Sequence, residues 1–562
     1  MEQQWWHQAI VYQVYPKSFK DTNDDGVGDI RGIIEKLDYI QSLGVNVLWL
    51  NPIFKSPQVD HGYDISDYYQ LDPQFGTIAD MEELIAESGK RGLKVILDFV
   101  VNHTSDLHPW FIESRKSKDN PYRDFYIWRD GHDGKEPTNW ASFFGGSTWA
   151  YDPTTDQYYF HLFDKKMPDL NWENPKLRKE VYQIAEFWLK KGIAGFRLDA
   201  IIHLAKDQRF QNYESDTNDG DYVIAEPCYA HLPRVHEFIR KFNHAIHKIN
   251  PNILLIGEAA SADSELAKLY TDPENEEFDC IISFQQLEPE LLHEDAELPK
   301  NWQIGHLNLA NFKKTMKQWQ EDLYEHGWSA LFWNNHDMPR LLTRFGDTRY
   351  PRESATMLAT LMYLQRGMPI IYQGEEIGMT NLRLSEINDY NDSGIEDFVK
   401  KARGLGYTTS EILNRVHSCS RQTSRGAMQW SKGLNAGFST IKPWLGVNDD
   451  YLKVNVEEQE NNPESILNYY RDLLRIRLER KVFVEGNWEL IDEENPSIYA
   501  YKRHYNDQSA LVLCNFTNKP HVFHYPNLPS WNCILNNKGK RERLHEQLVL
   551  ERYECYVLIK EK

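Results

Sequence analysis

Short apolar runs alternate with longer amphipathic stretches along most of the chain. Eight of these runs predict strands that are buried on both faces, because they are continuous, rich in β-branched residues and bounded by polar segments. They span residues 9–16, 45–53, 93–103, 194–200, 252–259, 278–284, 328–337 and 368–376. Eight parallel strands in regular alternation with helices predict an α/β fold, a closed (β/α)₈ TIM barrel.

Two connections in this pattern are too long to be simple loops. Residues 104–174, called the lid segment below, follow the third strand and are rich in Trp, Tyr, Phe, Asp and Gly. This composition predicts a small lid domain inserted after strand 3. The second connection, about 378–461, follows the eighth strand and is polar. The sequence Asn462-Pro463-Glu464-Ser465 then predicts the start of a helix.

The end of the chain has a different pattern. From about residue 488 onward, short alternating runs such as SIYAYKRHY and ALVLCNF predict a C-terminal antiparallel β-sandwich. The predicted organisation is therefore a catalytic barrel of residues 1–103 and 175–480, an inserted lid domain of residues 104–174, and a C-terminal domain of residues 481–562.

Composition narrows the classes of function. The formal net charge is −21, which argues against nucleic acid and anionic membranes as partners, because both need basic patches on the protein. A neutral, polyhydroxylated substrate is compatible with this charge. The N-terminus lacks the features of a signal peptide, and no run reaches the roughly 18 apolar residues of a membrane span. The six cysteines form no CxxC pair, which favours reduced thiols and a cytoplasmic location.

Polar clusters stand at the ends of four predicted strands. The segments DFVVNH, GFRLD, GE and NNHD bring four carboxylates, two histidines and an arginine to the end of the barrel where active sites lie. A single carboxylate would be read more simply as a solvated loop residue. A whole set of them on separate strand ends indicates a catalytic site, because burying unpaired charges is destabilising.

The spacing of charged residues at the end of the fourth predicted strand indicates how the site could work. Arg197 and Asp199 are two residues apart, so on a strand they share a face. The cation favours the ionised form of Asp199, as a nucleophile requires. A carboxylic acid on a neighbouring strand, Glu258, could then stay protonated and act as general acid. Retaining glycosidases hold such a pair about 5 Å apart.

The same segments resemble a known family. DFVVNH, GFRLDA, GEA and NNHD match, in order, the four signature segments of glycoside hydrolase family 13, the α-amylase family. QVYPKSF, HGYDISDY, QGEEIGM and the SR…R…MQW pattern resemble its oligo-1,6-glucosidase/α-glucosidase branch, and the resemblance covers essentially the whole chain. It implies a retaining, exo-acting α-glucosidase that releases glucose from the non-reducing end of short α-glucosides or oligosaccharides.

The resemblance also implies roles for individual residues. Asp199 would be the nucleophile, Glu258 the acid/base, and Asp337 the carboxylate that grips substrate hydroxyls. Asp98 would support the site from within the barrel. The substrate-binding residues would be Asp60, Tyr63, His103, Arg197, Ala200, His336 and Arg425.

Other positions bear on the linkage that is cleaved. The small residue Ala200, and Ala260 where α-1,6-specific relatives tend to carry Pro, lead us to expect a preference for α-1,4 linkages such as those of maltose and malto-oligosaccharides. The physical reason is steric, since an α-1,4 bond needs room for the second ring near the nucleophile. Met167 and Met338 stand where the branch usually has Gln, and residues 420–427 read SRQTSRGA instead of SRDNARTP.

Alternative functions remain within and beyond this branch. An oligo-1,6-glucosidase, or a transglycosylating or isomerising relative, would share the covalent intermediate. A non-catalytic relative of the family is a remote alternative, because it would be expected to lose Asp199, Glu258 and Asp337, which this chain retains. The oligomeric state is left open.

The loop after the first predicted strand is a candidate metal site. Asp21, Asn23, Asp25, the Val27 carbonyl and Asp29 place oxygen atoms at alternate positions, as at the start of an EF-hand loop. The twelfth position is glycine and not glutamate, so the loop is not an EF-hand. Because branch members carry a metal loop here, the resemblance implies one structural Ca²⁺; the alternative is an ordinary Asp/Asn/Gly turn. No redox or nucleotide cofactor is expected.

Overall fold

A parallel barrel forms the centre of the molecule. The computed structural model describes residues 4–214, 222–287, 291–293, 297–392, 394–539 and 544–561. Its barrel strands are β1 Val11–Val14, β2 Val47–Leu50, β3 Lys94–Phe99, β4 Gly195–Leu198, β5 Leu254–Glu258, β6 Cys280–Ile282, β7 Ala330–Leu331 and β8 Met368–Tyr372. They pair in the order β6-β5-β4-β3-β2-β1-β8-β7, and a bridge between Ile281 and Ser329 connects the two ends of the sheet. The predicted barrel fold is confirmed.

Several strands are shorter than the apolar runs that predicted them. The seventh run, residues 328–337, contributes just Ala330–Leu331 to the sheet. Its polar end turns away because its side chains bind nearby backbone: Asn335 Oδ1 accepts from the Asp337 N–H at 2.8 Å, and Asn334 Oδ1 from the Leu341 N–H at 3.2 Å. Such local bonds compete with a sheet ladder.

Helices surround the barrel, and one helix or helix pair follows each strand. Ser465 caps the last of them by accepting from the Asn468 N–H, which confirms the predicted helix start. The barrel helices are Ile30–Glu35, Leu37–Ser42, Ile78–Lys90, Pro175–Lys190, Pro233–His247, Ser264–Thr271, Leu309–Asp322, Pro351–Tyr363 and Ile466–Glu479. The short helices Leu341–Arg344, Val456–Glu460 and Lys481–Val484 complete this layer. In the described part of the chain, no helix has both the length and the apolar character needed to cross a membrane.

The lid segment folds over the end of β3. It contains the helix Pro109–Ser114 and a three-stranded antiparallel sheet in the order Trp128–Arg129, Gln157–Phe160, Trp149–Asp152. A bridge between His103 and Asp169 joins the segment to the barrel. A short hairpin of Phe54–Lys55 and Asp67–Leu71 follows β2 at the same end. Both insertions therefore surround the carboxyl ends of the strands.

The long segment after β8 is more ordered than its polar composition indicated. It includes the helices Ile395–Gly404 and Thr409–Cys419. These helices have a small core of their own, in which Trp302 stacks on Phe398 with ring centroids 4.3 Å apart. The chain then returns to the barrel end through a 3₁₀ turn at Arg421–Ser424.

The C-terminal domain has two antiparallel sheets, which confirms the predicted β-sandwich. Its strands are β9 Asn487–Ile491, β10 Ile498–Tyr505, β11 Gln508–Asn515, β12 His521–His524, β13 Asn532–Asn536, β14 Gln547–Leu550 and β15 Cys555–Glu561. The larger sheet has the order β9-β10-β11-β15-β13, and β12 pairs with β14. Alternate residues serve two cores. Tyr501 and Val512 face the barrel, whereas Leu511, Leu513 and Phe523 lie in a core between the sheets.

Candidate active site

A cavity of about 310 Å³ opens at the carboxyl ends of the barrel strands. It brings together most of the residues predicted to form the site. Its lining residues are Asp60, Tyr63, His103, Phe143, Phe144, Phe163, Met167, Asp199, Ala200, Ile202, His203, Glu258, Ala260, Phe284, Asp337 and Arg421. A larger cavity of about 750 Å³ lies beside Trp5 and Asp279 at the other end of the barrel. Although this second cavity is larger, none of the residues predicted for catalysis lines it.

Arg197 holds three carboxylates together at the floor of the cavity. Its Nη1 donates to Asp98 Oδ1 at 2.7 Å and to Asp199 Oδ1 at 2.6 Å, and its Nη2 lies 2.8 Å from Glu258 Oε2. The residues meet because β3, β4 and β5 are neighbours, with Asp98 directly opposite Arg197. The guanidinium is buried, with 1% of the side chain exposed. The three carboxyl partners offset the cost of burying this cation, and the cation reduces the repulsion among them.

A strained turn follows the nucleophile candidate. Ala200 has φ 48°, a left-handed conformation that residues with a Cβ rarely adopt. In this conformation its N–H donates to Glu258 Oε2 at 3.1 Å. Backbone strain of this kind persists at sites where the surrounding structure fixes it. The turn therefore links the loop that carries Asp199 to the carboxyl group of Glu258.

Asp199 and Glu258 differ in pKa because their surroundings differ. Burial raises the pKa of Glu258 to about 7, and the charge of Asp199 adds to this effect, although Arg197 opposes it. Burial raises the pKa of Asp199 to about 6 against the lowering effect of Arg197. Glu258 therefore keeps its proton to a higher pH than Asp199. Such a difference in pKa assigns an acid and a nucleophile in a carboxylate pair.

Asp337 lines the same cavity in a cationic environment. Its Oδ1 accepts from Arg425 Nη2 at 2.9 Å, and its Oδ2 lies 2.9 Å from His336 Nε2. Burial alone would raise the pKa of Asp337, but His336, Arg425 and Arg421 together hold it well below its usual range. Asp337 is thus a permanent anion. A fixed carboxylate suits a group that accepts hydrogen bonds from substrate hydroxyls.

Tyr63 and His336 form a stacked pair. Their ring centroids are 5.5 Å apart and nearly parallel, and the Tyr63 hydroxyl lies 2.9 Å from Asp98 Oδ2 and 2.5 Å from His336 Nε2. The amide Nε2 of Gln13 donates to His336 Nδ1 at 2.9 Å. The ring proton of neutral His336 therefore lies on Nε2, which faces Asp337 and Tyr63.

Sequence reasoning missed several lining residues. Arg421 donates through Nη2 to Asp60 Oδ1 at 2.8 Å and through Nε to Asp392 Oδ1 at 3.1 Å. Arg421 belongs to the SR…R…MQW pattern, so the sequence marked it as part of the family resemblance but did not predict its ion pairs with Asp60 and Asp392. Phe143, Phe144 and Phe163 of the lid segment, together with His203, also line the cavity. Their contribution depends on how the lid segment folds, which the residue pattern does not specify.

The predicted metal ligands lie between β1 and the helix Ile30–Glu35. Asn23 Oδ1 accepts from the Asp25 N–H at 3.1 Å, and Asp25 Oδ1 accepts from the Val27 N–H at 2.8 Å. Asp21 accepts through Oδ1 from the Asn23 N–H at 3.0 Å. These bonds fold the side-chain oxygens of alternate residues into one compact loop. An all-oxygen donor set fits Ca²⁺ better than transition metals.

Asp29 differs from the other predicted ligands. Its Oδ1 accepts from the Gly32 N–H at 2.8 Å and thereby caps the following helix, and its Oδ2 accepts from the Thr22 N–H at 2.8 Å. Within the described ranges, no group of three or more His, Cys, Asp or Glu side chains is arranged so as to hold a metal ion. The calcium site therefore stays a prediction.

Comparisons with known proteins agree with this geometry. Residues 13–486 match the family model "Alpha amylase, catalytic domain". The oligo-1,6-glucosidase of Parageobacillus thermoglucosidasius is 46% identical over 528 residues, which are 94% of this chain and 93% of that protein. The trehalose-6-phosphate hydrolase of Bacillus subtilis is 42% identical over 561 residues, 98% of each chain.

Solved structures are similar over the full length. The trehalose-6-phosphate hydrolase of Bacillus licheniformis superimposes with a TM-score of 0.93 at 42% identity, and the match covers 100% of both chains. The isomaltulose synthase of Erwinia rhapontici has a TM-score of 0.93 at 37% identity over 100% of both chains. The relatives therefore share one fold but carry names of different reactions.

Proposed function

Because the chain belongs to the α-amylase family and is a hydrolase of the α-glucosidase type, we propose that it releases single glucose units from short α-glucosides with retention of configuration. The binding of Asp199 and Glu258 by the one guanidinium of Arg197 carries this proposal. A shared guanidinium favours the separation of about 5 Å found in retaining enzymes over the roughly 6.5–9.5 Å of inverting ones.

The two carboxyl groups divide the proposed reaction. Glu258 donates its proton to the glycosidic oxygen while Asp199 attacks the anomeric carbon, so that the leaving group departs as an alcohol and a glucosyl ester forms on Asp199. Glu258, now a carboxylate, takes a proton from water, which attacks the same carbon and frees Asp199. Asp337 accepts hydrogen bonds from hydroxyls of the bound glucose and holds the ring in place.

The wall of the cavity supports attack at the chain end. Arg421 is bonded to Asp60, and Arg425 to Asp337, so a layer of ion pairs lies beside the catalytic carboxyls. A terminal glucose fits against this layer, whereas a chain running through the site would have to break it. Soluble starch tests the exo mode: glucose should appear before the viscosity falls. A rapid fall in viscosity before any glucose is released would indicate endo attack.

The names of the relatives favour α-1,6 linkages, contrary to the preference expected from Ala200. The P. thermoglucosidasius relative and the Bacillus cereus relative, at 46% and 42% identity, are both named oligo-1,6-glucosidase. Short α-1,6-linked glucosides are therefore the proposed main substrates. α-1,4-linked substrates are the second candidate, because Ala200 and Ala260 both line the cavity and leave room near the scissile bond. Initial rates on isomaltose and maltose decide between them.

Phosphorylated disaccharides fit the cavity less well, although two relatives are named trehalose-6-phosphate hydrolase. Among its lining residues in the described part of the chain there is one cation, Arg421, which already binds Asp60 and Asp392. A phosphate dianion requires cationic or bidentate donors. We expect the enzyme to turn over trehalose 6-phosphate no faster than trehalose. A clear preference for the phosphorylated sugar would contradict this reading.

A structural Ca²⁺ and a cytoplasmic location belong to the same proposal. Asp21, Asn23, Asp25 and the Val27 carbonyl would hold the ion, with Asp29 closing the loop, at a distance from the catalytic carboxyls. The ion would supply stability and not chemistry. None of the six cysteines, all of which lie in the described ranges, forms a disulfide, as expected for a protein in a reducing compartment. Cell fractionation would test the location.

A further inference from the structure

A buried polar cluster behind His103 has no part in the proposed reaction. It joins Asn102 at the end of β3, Asp169 of the lid segment and Lys206 of the loop after β4. Lys206 Nζ lies 2.7 Å from Asp169 Oδ2, and the two side chains are 1% and 0% exposed. A buried ion pair is costly unless its geometry is good and its remaining groups are bonded. We therefore expect the pair of Lys206 and Asp169 to hold neighbouring side chains in position.

Lys206 and Asp169 together determine the orientation of the Asn102 amide. Lys206 Nζ donates to Asn102 Oδ1 at 3.0 Å. Because an ammonium group has donors and no acceptor, the oxygen of the amide has to face it. Asn102 Nδ2 then donates to Asp169 Oδ2 at 3.0 Å and lies 3.3 Å from His103 Nδ1. The Nδ1 atom of His103 therefore faces a donor and acts as an acceptor.

The other side of the His103 ring gives the same result independently. His103 Nε2 lies 3.2 Å from the backbone carbonyl oxygen of Tyr63, which can only accept. The ring proton is therefore on Nε2. Burial lowers the pKa of His103, so the ring is neutral near neutral pH. The Nε2–H group, which faces the Tyr63 carbonyl, is the one donor that His103 presents beside the cavity.

We propose that Lys206 is a positioning residue of the active site, which acts through Asn102 to fix His103 in its Nε2-protonated tautomer. It also fastens the lid segment to the residues that follow β3, where the Leu170 N–H donates to the Asn102 carbonyl at 2.8 Å. The proposal rests on the proposed binding of a glucose unit beside His103. Lys206 itself is buried behind that residue and acts through it.

The Lys206→Met variant is the first test. Without the ammonium, the charge of Asp169 is unbalanced, and this charge raises the pKa of His103 and favours a proton on Nδ1. NMR of the free enzyme with isotope-labelled histidine, with the signal assigned from His103→Gln, should show loss of the pure Nε2 tautomer. The KM for isomaltose should rise roughly 3- to 10-fold, the value of one hydrogen bond, with a smaller change in kcat.

Coupling to His103 separates positioning from a general loss of structure. In a His103→Gln background, Lys206→Met should change KM little further. In the parental background, Lys206→Arg keeps the cation and should therefore have a KM close to that of the parent. Lys191→Met is the matched control, because Lys191 pairs with Glu82 on the surface at 2.6 Å and should leave both readouts unchanged. If Lys206→Met does not fold, the charge-balanced D169N/K206M variant replaces it and should show a mixed tautomer.

Two results would overturn the proposal: an unchanged His103 tautomer, or a KM increase that persists in full in the His103→Gln background. The NMR result does not depend on substrate. It therefore stands even if the proposed binding of glucose proves wrong, which would appear instead as a failure of the parental enzyme to hydrolyse α-glucosides.

Discussion

Single carboxyl groups determine the proposed chemistry. We expect Asp199→Asn and Glu258→Gln each to lower kcat on isomaltose by several orders of magnitude, because a retaining mechanism needs both groups. Circular dichroism should show that the fold survives. Glu258→Gln should regain part of its rate with aryl glucosides whose leaving group needs no proton. Turnover close to that of the parent in either variant would refute the assignment.

The pH dependence follows from the same two residues. Below a pH of about 6, Asp199 takes up a proton and loses its nucleophilic charge; above about 7, Glu258 loses the proton that it must donate. The kcat/KM of the free enzyme should therefore be bell-shaped, with its maximum between these values. The two limbs describe the pair as a whole, since the groups interact. Activity that stays constant well above neutral pH would contradict the role of Glu258.

The Ala200 side chain tests the linkage. Ala200→Val should lower kcat/KM for maltose by roughly 10- to 200-fold relative to isomaltose, since one or two methyl groups in a pocket discriminate by about 1–3 kcal/mol. Valine also strains the left-handed backbone at φ 48°, which affects both substrates, so the ratio of the two rates is the measurement. Ala200→Gly is the control and should leave the ratio unchanged. An equal loss on both substrates would argue against a steric role.

At the scale of residues, the sequence was informative where chemistry is concentrated. Asp199, Glu258 and Asp337 could be predicted because strand ends of a barrel meet, and the structure places all three in one cavity. Lys206 carried no such signal. One lysine in a loop looks like any other, and the buried partners that give it a function are set by the three-dimensional contacts of the lid segment.

At the scale of elements, the loop after β1 makes a separate prediction. Chelation by EDTA should lower the melting temperature more than it lowers activity at ambient temperature, because a metal bound by the native state alone stabilises it by mass action. An Asp21→Ala, Asp25→Ala double variant should lose the response to added Ca²⁺. Asp24→Ala is the control, since Asp24 points outward to Thr440 and should leave the response intact. If added Ca²⁺ does not change the melting temperature of the parental enzyme, the proposed metal site is refuted.

Elements were predictable where the determining contacts are local. The helix that begins after Ser465 has its cap within three residues, so its start could be predicted from the sequence. The end of β7 was predicted less well, because an apolar run does not show that Asn334 and Asn335 bind the backbone N–H groups of Leu341 and Asp337 in place of a sheet ladder. The two helices after β8 were also missed, since their small core includes Trp302, far away in the sequence.

At the scale of the whole molecule, the sequence predicted the architecture because repeated βα units can close in few ways. The C-terminal sheet shows what such a pattern leaves open. Its strands alternate clearly, but both faces are covered, one by the barrel and one by the smaller sheet. Alternate residues of these strands therefore enter two different apolar cores. The sequence pattern does not show that one of these cores is the contact between the C-terminal domain and the barrel.

The single bridge between Ile281 and Ser329 gives the ring of strands one weak seam. Most other neighbours in the barrel share three or four paired residues, whereas β7 is held to β8 by two pairs and to β6 by this bridge. Opening that seam breaks few bonds, so transient breathing of the barrel should begin there. In hydrogen–deuterium exchange, peptides covering β6 and β7 should take up deuterium before those covering β2 and β3. Equal protection around the ring would mean that side-chain packing, and not the ladder, keeps the barrel closed.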